Sequence, residues 1–183
     1  MGREKSSYIA LVRAVNLAGH NRVSMTDLRE LLTQLGFDDG RSLLQSGNLV
    51  FRGAARSPSE VEDMLERGAK KRLDLAVDFF VRTADEWDAL VKRNPFRAEA
   101  ARDPGHLLAM CFKTAPEPAA VKQLKAAISG RETIRVDGRH AYMVYPDGVG
   151  RSRLTHTLIE RRLGTRGTGR NWNTVLKLGE LVK

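Results

Sequence analysis

One cysteine, Cys111, is present in 183 residues, so no disulfide can close within the chain, and a reducing cytoplasm is the expected location. Cys111 lies inside the apolar run 107–112, which points to a buried, inert thiol rather than a nucleophile. No uninterrupted apolar stretch approaches membrane-spanning length, so no membrane partner is expected. The opening residues, Met1 to Ser7, lack the apolar segment of a secretory signal. The histidines His20, His106, His140 and His156 show no ligand-like spacing, so no metal is expected. Of the four, only His20 sits in a loop where acid–base work is worth testing. Walker and Rossmann glycine patterns are missing, and no nucleophile stands at a diagnostic spacing from a base. The chain therefore names no cofactor and no reaction, and whether it is an enzyme stays open.

Hydrophobic residues make up 42% and charged residues 29%, the balance of a globular protein with a substantial core. Basic residues are in excess, with a net charge of +9 and a pI near 10.1. From residue 151 onward, Arg151, Arg153, Arg161, Arg162, Arg166, Arg170, Lys177 and Lys183 face only Glu160 and Glu180. These charges either lie on helical faces turned to water or form a basic surface for phosphates or nucleic acid.

Tyr8 to Val12 is an apolar, partly β-branched run that predicts a strand, turning polar at Arg13 and Asn16. A loop over 17–23 leads to Ser24, an N-cap with Asp27 three residues on. Leu28, Leu31, Leu32 and Leu35 then recur at helical spacing until Gly36. Two short strands, 42–45 and 49–51, flank Ser46-Gly47-Asn48, a tight hairpin. Ser57-Pro58-Ser59-Glu60 is a complete helix start. A strand over 76–81 and a short helix capped at Thr83 and carrying Trp87 follow. The second half predicts a strand over 107–112, a helix over 116–128 and strands 133–136 and 141–145 around Asp137-Gly138. A helix over 152–163, an extended or loop piece over 165–169 and a helix over 172–182 complete it.

Both halves thus read in the same order, which suggests an internal duplication on element order alone. The expected fold class is α+β: two tandem, related subdomains, each a small mostly antiparallel sheet backed by helices. The expected boundaries are 1–96 and 106–183, with 97–105, containing Pro104 and Gly105, as linker.

Three blocks carry a family resemblance. Tyr8-Ile9-Ala10-Leu11-Val12-Arg13-Ala14-Val15-Asn16 with Gly19 and Met25-Thr26-Asp27-Leu28 resembles the opening of the bacterial family known as domain of unknown function 1697. Leu44-Gln45-Ser46-Gly47-Asn48-Leu49-Val50-Phe51 is similar to its most distinctive hairpin. Thr168-Gly169-Arg170-Asn171-Trp172-Asn173-Thr174-Val175 with Leu178 is similar to its C-terminal signature. Two positions depart from the pattern. Ala14-Val15 stands where the family shows Gly-Ile, and Gly169 stands where it favours Thr or Ser. The resemblance implies a compact α+β fold of two related subdomains and no known reaction.

Candidate ligand-binding residues are Arg13, Asn16, Ser46, Asn48, Arg170, Asn171, Trp172, Asn173 and Thr174. Arg13 and Asn16 emerge at a strand end, where pockets form, or Arg13 pairs with a carboxylate such as Asp78. Asn48 is explained by turn conformation or contacts a ligand with Ser46. Asn171 suits a helix N-cap beside the guanidinium of Arg170, and Trp172 either stacks on a base or fills the core. Three functions follow. The chain binds a phosphate-bearing ligand, a nucleotide or nucleic acid, through its basic C-terminal region; or it is a small-molecule enzyme with a polar Arg/Asn pocket; or it is a non-catalytic interaction module.

Overall fold

The computed structural model describes residues 4–13, 23–44 and 47–183. Of the expected loop over 17–23, all but Val23 lies outside these residues. The chain divides into two units, Met1–Ala89 with Leu178–Lys183, and Leu90–Lys177. The segment expected as a linker carries helix α4 (Arg97–Arg102) and a 3-10 turn over Pro104–His106.

In the first unit, β1 (Lys5–Arg13), α1 (Met25–Gln34), β2 (Asp38–Leu43), β3 (Asn48–Ala54), α2 (Pro58–Leu73), β4 (Asp78–Thr83) and the start of α3 (Ala84–Lys92), whose residues from Leu90 group with the second unit, follow one another. The sheet order is β2-β3-β1-β4, with every pairing antiparallel. This is the split β-α-β arrangement, in which two β-α-β units interleave so that the first strand lies between the third and fourth.

Tyr8, Ala10 and Val12 alternate onto the helical face of β1, where they meet Leu49 and Phe51 of β3 and Phe79 and Val81 of β4. Leu28, Leu31 and Leu32 of α1 and Val61, Leu65 and Ala69 of α2 cover them. Tyr8 and Phe51 stack with centroids 5.6 Å apart, and Phe37 meets Phe51 edge-on at 4.8 Å. The opposite face of the sheet is also buried, at Ile9, Leu11, Val50 and Phe80.

Local signals at the helix starts hold. Ser24 and Asp27 form a capping box on α1, and Ser57 and Glu60 form one on α2, each carboxylate held below its ordinary range by the serine hydroxyl and amide. Thr83 and Glu86 form the same reciprocal pair at α3. β2 begins at Asp38, ahead of the expected 42, because an exposed edge strand needs no apolar alternation.

The second unit repeats this order with β5 (Leu107–Phe112), α5 (Pro118–Ala127), β6 (Thr133–Asp137), β7 (His140–Val144), α6 (His156–Leu163), β8 (Gly167–Asn171) and α7 (Trp172–Leu181), whose residues from Leu178 onward group with the first unit. Its sheet order is β6-β7-β5-β8, again antiparallel throughout. Leu108, Met110, Phe112, Ala141 and Met143 face Leu124 of α5 and Ile159 and Leu163 of α6.

Two expectations move here. α6 starts at His156 rather than 152, because the Leu154 amide donates to the Ser152 hydroxyl and Thr155 then caps the helix. The 165–169 piece, expected to be extended or loop, belongs to the edge strand β8, which pairs with β5 from Gly167 to Asn171. The fold is α+β, two similar sheet-and-helix units. No described helix is long and apolar enough to cross a membrane.

Candidate functional site

Arg13 and Asn48 belong to the first unit. Arg13 ends β1 directly across from Asp78 in the β1–β4 register, and Asn48 lies across from Leu11. The Asn48 side chain is fully buried and donates to the Leu43 carbonyl at 3.0 Å, closing the hairpin. Asn16, Ser46 and His20 lie outside the described residues.

Arg170, Asn171, Trp172, Asn173 and Thr174 belong to the second unit, at the passage from β8 into α7. Asn171 accepts the Thr174 amide at 3.0 Å and so caps α7. Trp172 is 4% exposed and lies with its ring centroid 6.3 Å from that of Tyr142. Tyr142 donates its hydroxyl to the Leu90 carbonyl at 2.7 Å, and burial pushes its pKa up to about 12. Asn173 is exposed and Thr174 is buried.

Arg170 is half-buried. Its Nη1 donates to Thr168 Oγ1 and to the Gly169 carbonyl, both at 2.9 Å. Burial pulls this guanidinium down to about 10, opposed by the nearby Cys111 thiol. Against Gly169 packs His156, the first residue of α6; a Cβ at 169 would lie 3.2 Å from its Nε2.

The first unit holds a related group that the motif reading missed. Arg82 is wholly buried in β4, donates Nη1 to the Val81 carbonyl at 2.6 Å, and has the buried Glu62 carboxylate 3.7 Å away. Glu62 accepts the Val81 amide at 2.8 Å, and Glu66, one turn along α2, accepts the Phe79 amide at 2.9 Å. The signal was present as an arginine directly after the apolar run Phe79-Phe80-Val81 and as two acids spaced i, i+4 on a helix. Pairing them needs the tertiary fold.

Among the described residues, no group of three His, Cys, Asp or Glu side chains could hold a metal. The basic side chains of the second unit are largely outward: Arg151, Arg153, Arg161, Arg162 and Arg166 are exposed. Glu160, the acid among them, turns inward and accepts the Gly167 amide at 2.8 Å.

A family profile described as protein of unknown function (DUF1697) matches residues 6–142. The chain belongs to this family. A solved structure of the conserved bacterial protein SP0830 from Streptococcus pneumoniae is similar to this DUF1697 member at a TM-score of 0.75 and 22% identity, covering 98% of this chain and 100% of that one. A candidate chlorite dismutase, TA0507, aligns over 98% of this chain and 99% of its own at 9% identity, with a TM-score of 0.26, too low to bear on fold or function. No curated protein matches this sequence. The likeness to SP0830 concerns the fold of the DUF1697 chain alone.

Proposed function

We propose that this protein binds a phosphate-bearing polyanion, a nucleotide or nucleic acid, through the basic surface of its second unit. The observation that carries this reading is the exposure of Arg151, Arg153, Arg161, Arg162 and Arg166, five basic side chains within one unit. Arg161 and Arg162 occupy the last turn of α6, and Arg166 follows within one short turn. Such clustering draws phosphates by releasing their condensed counterions. The matching strand orders of the two units support an internal duplication, and the single buried thiol fits a cytoplasmic location.

The test is a fluorescence titration with mixed oligonucleotides at low and at physiological salt. Affinity is expected to fall steeply with salt, and Arg162→Glu with Arg166→Glu to weaken it by about tenfold or more. Absence of any retention by the wild-type protein at low salt ends this reading.

A second reading, a non-catalytic interaction module, is favoured by one set of contacts. Asn48, Asn171 and Trp172 are engaged within their own units, by a hairpin bond, a helix cap and a ring contact. In that case the polar motifs hold each unit in shape, and binding falls to the surface around them.

A further inference from the structure

The second unit carries a cleft between the end of α5 and the start of α6, about 260 Å³ counting its open mouth. Leu124 and Ile128 wall it on the α5 side, and Leu154 and Leu158 on the α6 side. Leu124 and Leu154 are buried and the other two half-buried, so the lining is apolar from its floor up to its rim. Two charged side chains, Glu132 and Arg153, complete it.

Glu132 is held in place. Its Oε1 accepts the Ser152 hydroxyl, and that hydroxyl in turn accepts the Leu154 amide at 2.9 Å. Its Oε2 lies over Gly130, in the space that a Cβ there would fill. The end of α5 adds to the negative potential. Its last amide bond runs from Ile128 back to the Lys125 carbonyl at 3.4 Å, and the final carbonyls of a helix carry partial negative charge. Of the neighbouring cations, Arg131 makes a two-point pair with Asp147, and Lys125 stands exposed on α5. Arg153 is exposed at the mouth, and among the described residues it has no hydrogen-bond or ion-pair partner.

We propose that this cleft binds a small aliphatic α-amino acid. The ligand's ammonium meets Glu132 and the end of α5, its carboxylate meets Arg153, and its side chain lies among the four aliphatic residues. A plain anion is opposed by Glu132, and a plain hydrocarbon leaves both charges unanswered; a zwitterion with an apolar branch satisfies all three surfaces. The half-shielded position strengthens both charged hydrogen bonds. The cleft lies below the roughly 300–1,000 Å³ of pockets for larger ligands, which favours a side chain the size of valine's over an aromatic one. Arg153 borders the polyanion surface, but this site does not depend on that reading.

The experiment is a titration of the isotope-labelled full chain with L-valine near neutral pH, followed by its amide resonances. Saturable shifts are expected at Gly130, Glu132, Leu154 and Leu158. N-acetylvaline lacks the ammonium and valinamide lacks the carboxylate, so each should bind about tenfold more weakly or worse. The same two probes stand for the last and first residues of a peptide, which separates a free amino acid from a chain end. Glu132→Gln should lower valine affinity by about tenfold, and Arg153→Ala should lower it several-fold while leaving valinamide binding unchanged. The amide spectrum shows whether each variant is folded; should Glu132→Gln not fold, the exposed Arg153→Ala with its valinamide arm decides. Wild-type protein without saturable shifts at these residues overturns the proposal. So does a folded Glu132→Gln or Arg153→Ala protein that binds valine like the wild type, or a blocked probe that binds as tightly as valine.

Discussion

The backbone amide of Val12 donates to the carbonyl of Gly47 across 2.7 Å, which seats the β2–β3 hairpin against the end of β1. Gly47 has φ of +74°, and a Cβ there would lie 2.8 Å from Val12 Cβ. Gly47→Ala therefore meets both a backbone penalty and a steric one. It should cost roughly 2–4 kcal/mol in urea-induced unfolding. A loss well below about 1 kcal/mol would show that the hairpin can lift away freely.

Glu62 and Arg82 form a buried pair, so removing one member should cost far more than removing both. Glu62→Ala is expected to destabilise by about 3–5 kcal/mol, because it leaves a buried guanidinium without its carboxylate. The double variant Glu62→Leu, Arg82→Met should recover a large part of that loss. Equilibrium unfolding of the three proteins gives the coupling energy, and simple additivity would contradict the pairing.

Alkali should unfold the second unit through its tyrosines. Burial raises both Tyr142 and Tyr145 from 10.0 to about 12. A raised folded-state value means that the neutral phenol is favoured in the fold. The associated stability is complete below the unfolded value and disappears as pH climbs from 10 towards 12. Tyrosinate absorbance followed against circular dichroism should show ionisation and unfolding together in that window. Tyr145→Phe should lessen the alkaline loss, while it removes the hydroxyl that donates to the Leu154 carbonyl at 3.0 Å.

Trp172 is almost wholly covered, so Trp172→Ala should lower stability by roughly 3–5 kcal/mol. Asn171→Ala removes only a helix cap and should cost about 1 kcal/mol. Thermal melts distinguish the two. A Trp172→Ala protein as stable as the wild type, yet unable to bind oligonucleotide, would make the ring a ligand contact instead.

How much of this could be read from the chain depends on where each element's neighbours come from. Central strands β1 and β5 are apolar runs with both faces buried, and they stand out at once. Helix starts are local, so Ser24 with Asp27 and Ser57 with Glu60 were legible from four residues each. β8 was not, since Gly167-Thr168-Gly169-Arg170-Asn171 contains no aliphatic residue. Its core contribution is instead the room its glycine leaves: a Cβ at 167 would lie 2.6 Å from Met110 and 2.8 Å from Phe112. Asn171 was readable as a cap because capping is local, whereas the meeting of Arg82 with Glu62, and of His156 with Gly169, joins residues from different elements.

β4 lies at the border of its sheet, yet three of its amides on alternate residues are taken by side-chain carboxylates: Phe79 by Glu66, Val81 by Glu62 and Thr83 by Glu86. Border strands ordinarily trade their outward amide hydrogens with solvent faster than the interior of a sheet. Here those three hydrogens should trade slowly, and the rate for Phe79 and Val81 will report how firmly α2 is seated rather than how firmly the strands are joined.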